Sequence, residues 1–220
     1  DIVVTSLADS GPGSLRQAIA DVRANGAIGF AVEGDILLTS GELLVDKPLR
    51  ILGGRQGRIA VHGNPSNFNL RVFHITAGPV GISNLTIQNG NKFLIGGDDS
   101  GGGIFNAGDL TLQRVTIRNN RATYAGGLYN ARGATVTIIN STVSGNTALD
   151  PGICDGGFGG GIVNAGGVVN LINTTISDND GQCQGGGIWM TSGSVMLNNT
   201  IVARQSFAKD CDEGFPEMGH

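Results

Sequence analysis

Aromatic side chains are scarce in this sequence, 5% of 220 residues, and proline is scarcer, with six. A long platform for stacking sugars or bases needs aromatics, so their shortage weighs against an extended glycan groove. So little proline, with no Gly-X-Y period, excludes a collagen triple helix. Positive charge is in deficit: 14 Lys and Arg against 18 Asp and Glu leave a net charge of −4 and a pI near 5.2. That balance offers no footprint for nucleic acid or anionic lipid. No apolar run approaches the roughly 18 residues of a spanning helix, so direct membrane insertion is not expected. The chain opens at Asp1, without Met or a charged-then-apolar leader, and reads as soluble and already processed. What is abundant is glycine, 38 residues. With 40% apolar residues the chain can still build one sizeable core, so the glycines read as turns between short elements.

The glycines recur with a period. Gly-Gly-Gly-Ile stands at 101–104, 159–162 and 185–188, and Gly-Gly-Leu at 126–128. A second pattern, Asn-x-Thr-Ile and its variants, puts Thr at 86, 116, 142, 175 and 200, with intervals of 30, 26, 33 and 25. Between the two lie Leu110-Thr-Leu112, Val136-Thr-Ile138, Val169-Asn-Leu171 and Val195-Met-Leu197. Each unit therefore predicts about three short strands. Strands so short cannot bury an apolar face alone, but stacked units bury a continuous one, as in a solenoid. Alternation sends Leu85 and Ile87 inward and Asn84 and Thr86 outward, with Ser141 and Asn199 taking the inward place of Leu85 in their own units. Helical solenoids need 3.6-residue amphipathic periods, absent after residue 26, and propellers need a longer repeat.

One helix stands apart. Ser14-Leu-Arg-Gln17 is a capping box, Leu15, Ala18, Ile19 and Val22 keep helical spacing, and Gly26 follows as a stop, which predicts a helix over 14–25. Its apolar face would cover the open first coil. Leu43–Val45, Leu49–Leu52, Ile59–Val61 and Val72–Ile75 are the expected early strands. The chain divides into a cap over 1–35, coils over 36–203 and a tail over 204–220. The fold class expected is all-β, a parallel β-helix of roughly seven coils.

Three stretches carry a family resemblance: Asp9-Ser-Gly-Pro-Gly-Ser-Leu-Arg-Gln-Ala-Ile19, Leu37-Leu-Thr-Ser-Gly-Glu-Leu-Leu-Val-Asp-Lys-Pro-Leu-Arg-Ile51, and the repeated Gly-Gly-Gly-Ile-x-Asn-Ala-Gly with Asn-x-Thr-Ile. The chain resembles bacterial secreted right-handed parallel β-helix repeat proteins, relatives of polymorphic outer-membrane-protein and CSLREAI-type surface proteins. The resemblance implies a secreted or cell-surface location and, for some members, adhesion.

Several residue sets are candidates for chemistry. Asn106, Asn130 and Asn164, each two residues after the aliphatic that closes a glycine cluster, should stack into a structural amide ladder at about 4.8 Å. The Asn-x-Thr column also spells glycosylation sequons at Asn84, Asn140, Asn173 and Asn198. Its outward Thr array could alternatively order water and bind ice, though Arg114 and Arg118 interrupt it. Asp99-Ser100-Gly101-Gly102 echoes a serine-protease nucleophile segment but lacks the framework that chemistry needs. His62 and His74 fall in coil strands and read as structural.

The loops between the Asn-x-Thr-Ile strand and the next glycine cluster, 90–100, 120–125, 146–158, 179–184 and 204–213, vary most and gather acids. Asp98, Asp99, Asp150, Asp155 and Asp180, with Asp178 at the edge, are candidate Ca²⁺ ligands on one rim of the stack. Asp210, Asp212 and Glu213 extend that rim. The same column holds Cys154, Cys183 and Cys211, and a Cys154–Cys183 disulfide between adjacent coils is favoured over Cys183–Cys211. No acid, base and nucleophile converge, so the leading expectation is a secreted or surface-displayed adhesive scaffold whose acidic loops contact a cell-surface or glycan ligand. The alternative is a polysaccharide lyase or glycoside hydrolase with acids near Arg121, Arg132 or Lys92. An uncapped last coil would also permit self-association, even into a filament, through the C-terminal end.

Overall fold

A computed structural model describes residues 1–54, 58–64, 66, 69–93, 99–150, 152, 156–206 and 210–213. The chain winds into a parallel β-solenoid of about seven turns, built from sheets of 13, 7 and 5 strands. Register is set by the repeat: Thr116 pairs with Thr142 and Thr142 with Thr175, so residues 26 and 33 positions apart lie side by side. Alternation then fills the interior with one aliphatic per coil, as in the column Val80, Leu110, Val136 and Val169, all buried. One pairing runs the other way, Asn91–Lys92 against Asn69–Leu70.

The early strands fall where the pattern puts them, at Leu43–Val45, Leu49–Leu52, Ile59–His62 and Phe73–Ile75. The helix is shorter than expected, Leu15–Asp21 rather than 14–25. Ser14 does cap it, its hydroxyl accepting from the Gln17 N–H at 3.2 Å. Val22 then turns extended and drives its side chain into the core, and Gly26 is already the first residue of the strand Gly26–Phe30. Leu15, Ala18 and Ile19 close the first coil as an apolar lid. Asp9 ties the loop before the helix to the second coil, accepting from Arg16 at 2.6 Å and from the Ser40 N–H at 2.8 Å.

Three further features depart from the sequence reading. The coils that start at Phe73, Ile104 and Leu128 carry four strands rather than three, because the two-residue strands Asn91–Lys92, Arg121–Ala122, Thr147–Ala148 and Asp180–Gly181 belong to a sheet of their own, while the continuous strand Ile162–Ile172 leaves its coil with three. This sheet explains the glycine clusters, which cross it at backbone distance: a Cβ at Gly102 would lie 2.2 Å from the Arg121 carbonyl oxygen, and one at Gly126 2.5 Å from the Thr147 nitrogen. The last unit is also slipped by one. Ile201, not Thr200, pairs with Thr175, and Thr200 rather than Asn199 follows Thr174 in the inward column. The corner decides this, since Asn84, Asn140, Asn173 and Asn199 all take positive φ between 48° and 57°, a conformation Asn tolerates well.

The third departure is a second amide ladder. Asn120 donates to Asn146 Oδ1 and Asn146 to Asn179 Oδ1, both at 2.9 Å, and all three are fully buried. Each Oδ1 also accepts a backbone N–H from the coil before, as Asn146 does from Asn120 at 3.0 Å. The inner column Asn106, Asn130 and Asn164 is linked in the same way, at 2.8 and 3.0 Å, with every amide also donating to carbonyls at its own turn.

Candidate functional site

The loop column opens onto one outward face. Leu44, His74, Phe105, Tyr129, Val163 and Trp189 succeed one another, one per coil, on the outer side of the large sheet. Ser100, Tyr124, Phe158 and Gln184 form a parallel row of bridges just where the loops end. The aromatics that are so few in the chain are therefore concentrated: both tyrosines, the one tryptophan and two phenylalanines share this face.

The rings form two stacks. Phe105 lies 5.2 Å from Tyr129 at an interplanar angle of 9°, with His74 edge-on to Phe105 at 5.1 Å. Phe158 lies 4.7 Å from Trp189 and 5.8 Å from Tyr124. Stacked in this way the rings turn most of their faces on each other, which ties coil to coil and leaves ring edges outward.

At the N-terminal end of the face stand three polar residues that sequence reasoning did not bring together. Glu42 Oε1 meets His74 Nδ1 at 2.8 Å, and Glu42 Oε2 accepts from Arg71 at 3.1 Å. The Arg71 side chain is fully buried. It donates to the carbonyls of Ser100 and Gly101 at 2.6 and 3.1 Å, and its guanidinium lies 4.8 Å over the Phe105 ring. Arg71 thus anchors the end of the 90–100 loop to the same carboxylate that orients His74. Burial pushes the Glu42 carboxyl up, but the His74 hydrogen bond and the charges of Arg71, His74 and Lys92 outweigh it and hold Glu42 below its ordinary range. With Nδ1 engaged, His74 Nε2 has no protein partner among the described residues, and the side chain is 24% exposed. A cavity of about 230 Å³ adjoins Glu42, lined also by Arg16, Ile19, Ala20, Leu44 and Asp46.

The loop acids are more dispersed. Asp98 and Asp155 lie outside the described residues, as does Cys154. Asp178 pairs with Arg204 at 3.2 Å, both exposed. Asp150 accepts from the Gly152 N–H at 3.1 Å, and the Asp99 carbonyl accepts from Thr123 and Tyr124. Asp180 lies in the short strand beside Thr147, and burial raises its carboxyl above the ordinary value. No group of three metal-ligating side chains stands among the described residues. Cys183 follows the strand Asp180–Gly181, while Cys211 is a free thiol paired in register with Ile188, which puts it in a different sheet. Of the cations named for an enzyme, Lys92 contributes to the field at Glu42, whereas Arg121 and Arg132 are exposed elsewhere. No helix among the described residues is long and apolar enough to cross a membrane.

The Glu42 and His74 pairing had one readable signal. Leu43-Leu-Val45 and Phe73-His-Ile75 are successive copies of one strand, so His74 had to project beside Leu44, two residues from Glu42.

No protein-family model matches the sequence. The chain is 29% identical over 167 residues to a probable pectate lyase C of Aspergillus terreus, an alignment covering 68% of this chain and 39% of that protein. The chain thus spans about two fifths of the curated relative it matches. Its coordinates superpose on the crystal structure of Escherichia coli YbhC with a TM-score of 0.52 at 14% identity, over 97% of this chain and 72% of the other. That likeness shows the solenoid fold alone.

Proposed function

We propose that this solenoid is an extracellular protein acting on an acidic polysaccharide, by β-elimination, at the face around Glu42 and His74. One observation carries the reading: a carboxylate held below its ordinary range engages one nitrogen of a 24% exposed imidazole and leaves the other without a protein partner among the described residues. The distant similarity to a probable pectate lyase supports the substrate class. In this reading His74 Nε2 takes the proton α to a uronate carboxylate, the bond from the β carbon to the glycosidic oxygen breaks, and solvent protonates the departing oxygen. Glu42 is the positioning residue, and Lys92 offsets substrate charge. The rim acids, Asp99 and Asp150 with Asp98 and Asp155, would hold Ca²⁺ between the protein and the uronates. A Cys154–Cys183 bond would pin that rim in an oxidising compartment.

The test is incubation with polygalacturonate, with and without Ca²⁺, following the ultraviolet absorbance of the unsaturated product. His74→Ala and Glu42→Gln should each lower the rate by about a hundredfold or more. Turnover that survives His74→Ala removes His74 as the base. Binding without product favours the second reading, a non-enzymatic adhesive scaffold. The mutually covered ring faces speak for that second reading, since they serve the rod rather than a ligand.

A further inference from the structure

We propose that a separate recess, on the adjoining half of the large sheet, binds a carboxylate-bearing sugar ring. The outward column there runs Arg50, Gly81, Thr111, Thr137 and Asn170, one residue per coil. All but Gly81 carry polar side chains, so the bare position opens a notch between Arg50 on one coil and Thr111 two coils on. The notch has a volume of about 410 Å³ and is rimmed by Asn25, Arg50, Pro79 and Thr111. That is the size of a small-molecule site.

Nothing in the packing demands glycine at this point. A Cβ on Gly81 would meet Arg50 Cγ alone, at an ordinary 3.5 Å, and its φ lies outside the left-handed region. This contrasts with Gly102 and Gly126, where neighbouring backbone leaves no room. Glycine inside a strand costs stability, and a position not forced by the backbone points to something approaching it closely.

The rim supplies the chemistry. Arg50 is exposed and bonds no acceptor among the described residues, so its planar guanidinium is available to a carboxylate. Pro79 is exposed and offers an apolar ring to the C–H face of a sugar, while the exposed Thr111 hydroxyl and Asn25 amide suit its hydroxyls. Asn25 sits on a fixed corner, at φ 62°, its N–H donating to the Pro48 carbonyl at 2.6 Å. Farther along the column Asn170 donates to Thr137 at 3.3 Å and keeps a buried Oδ1 without a partner, which continues the polar track along the axis. An apolar face, convergent donors and acceptors, and one unpaired cation together describe a uronic-acid ring rather than a neutral or purely apolar ligand.

The inference does not rest on the elimination chemistry, because the notch shares no residue with the Glu42 and His74 face. Saturation-transfer NMR with galacturonate as probe and galactose as neutral control tests it. Galacturonate should bind the wild-type chain, and Arg50→Gln should weaken it roughly tenfold. Gly81→Val, whose Cβ would meet only Arg50 Cγ at 3.5 Å, should remove the Arg50-dependent part of that binding while circular dichroism stays unchanged. His74→Ala should leave binding intact, which separates this site from the proposed catalytic one. Galactose binding as well as galacturonate, no binding by the wild type, or full binding by a folded Gly81→Val protein would each overturn the assignment.

Discussion

Asp9 shows how much one exposed-looking loop residue can hold. Burial raises its pKa, yet hydrogen bonds from Ser40, Arg16 and Thr39 bring the carboxyl down to about 2 from an ordinary 3.8. The side chain is 8% exposed. A depressed folded pKa contributes stability that is fully present above 3.8 and is lost as pH falls toward 2. The contribution at neutral pH is about 2 kcal/mol. Asp9→Asn should therefore lower stability by about that amount at neutral pH and flatten the acid limb of the stability profile. Urea titrations over this range check it: a variant curve parallel to the wild type would remove Asp9 as the anchor of the cap. Asn130 makes the opposite case, a neutral side chain that accepts from Asn106 and donates to Ala134, Asn164 and Val168, so that no ionisation enters its contribution.

Among the elements, the seven-residue helix is too short to be stable by itself and exists because the first coil needs a lid. Leu15 is its deepest side chain, with no exposed surface. Leu15→Ala should cost about 3 kcal/mol and open the first strand to pairing with other chains. Thermal melts combined with light scattering read both effects, and a variant that loses stability without aggregating would show that the first strands are protected in another way. The elements were unequally legible in the sequence. The Thr column and the glycine clusters announced the coils because they repeat. The two-residue strands carried no periodic signal of their own and emerged only from backbone pairing. Asn198-Asn199 offered two frames for one corner, and positive φ at Asn199 chose the second. The Glu42, Arg71 and His74 cluster was half hidden for a different reason: the repeat puts His74 beside Leu44, but Glu42 and Arg71 lie just before the strands it aligns, so stacking alone does not reveal their bonds.

Over the whole molecule, order is uneven along the axis. Leu171 is fully buried, whereas Leu197, its partner one coil on, is 51% exposed, and Met196 and Ile201 reach 57% and 61%. Nearest-neighbour stacking makes the interior coils most stable and the outermost most prone to open. Hydrogen exchange should find the strongest protection in Asp109–Gln113 and Thr135–Ile139 and the weakest in Ile201–Ala203 and the second half of Ile188–Asn198. Equal protection throughout would mean that the exposed end is covered in solution.

The two amide ladders also have a direction. In each, the link from one side chain to the next runs from an amide N–H on the earlier coil to an amide oxygen on the later one, from Asn106 through Asn164 and from Asn120 to Gln205. A whole turn can therefore be excised or duplicated, joining Asn106 directly to an Asn164-like neighbour, and donor will still face acceptor at the new seam. The rod is thus modular in length, and its reach can be altered by gene duplication or by design without stranding a single buried amide.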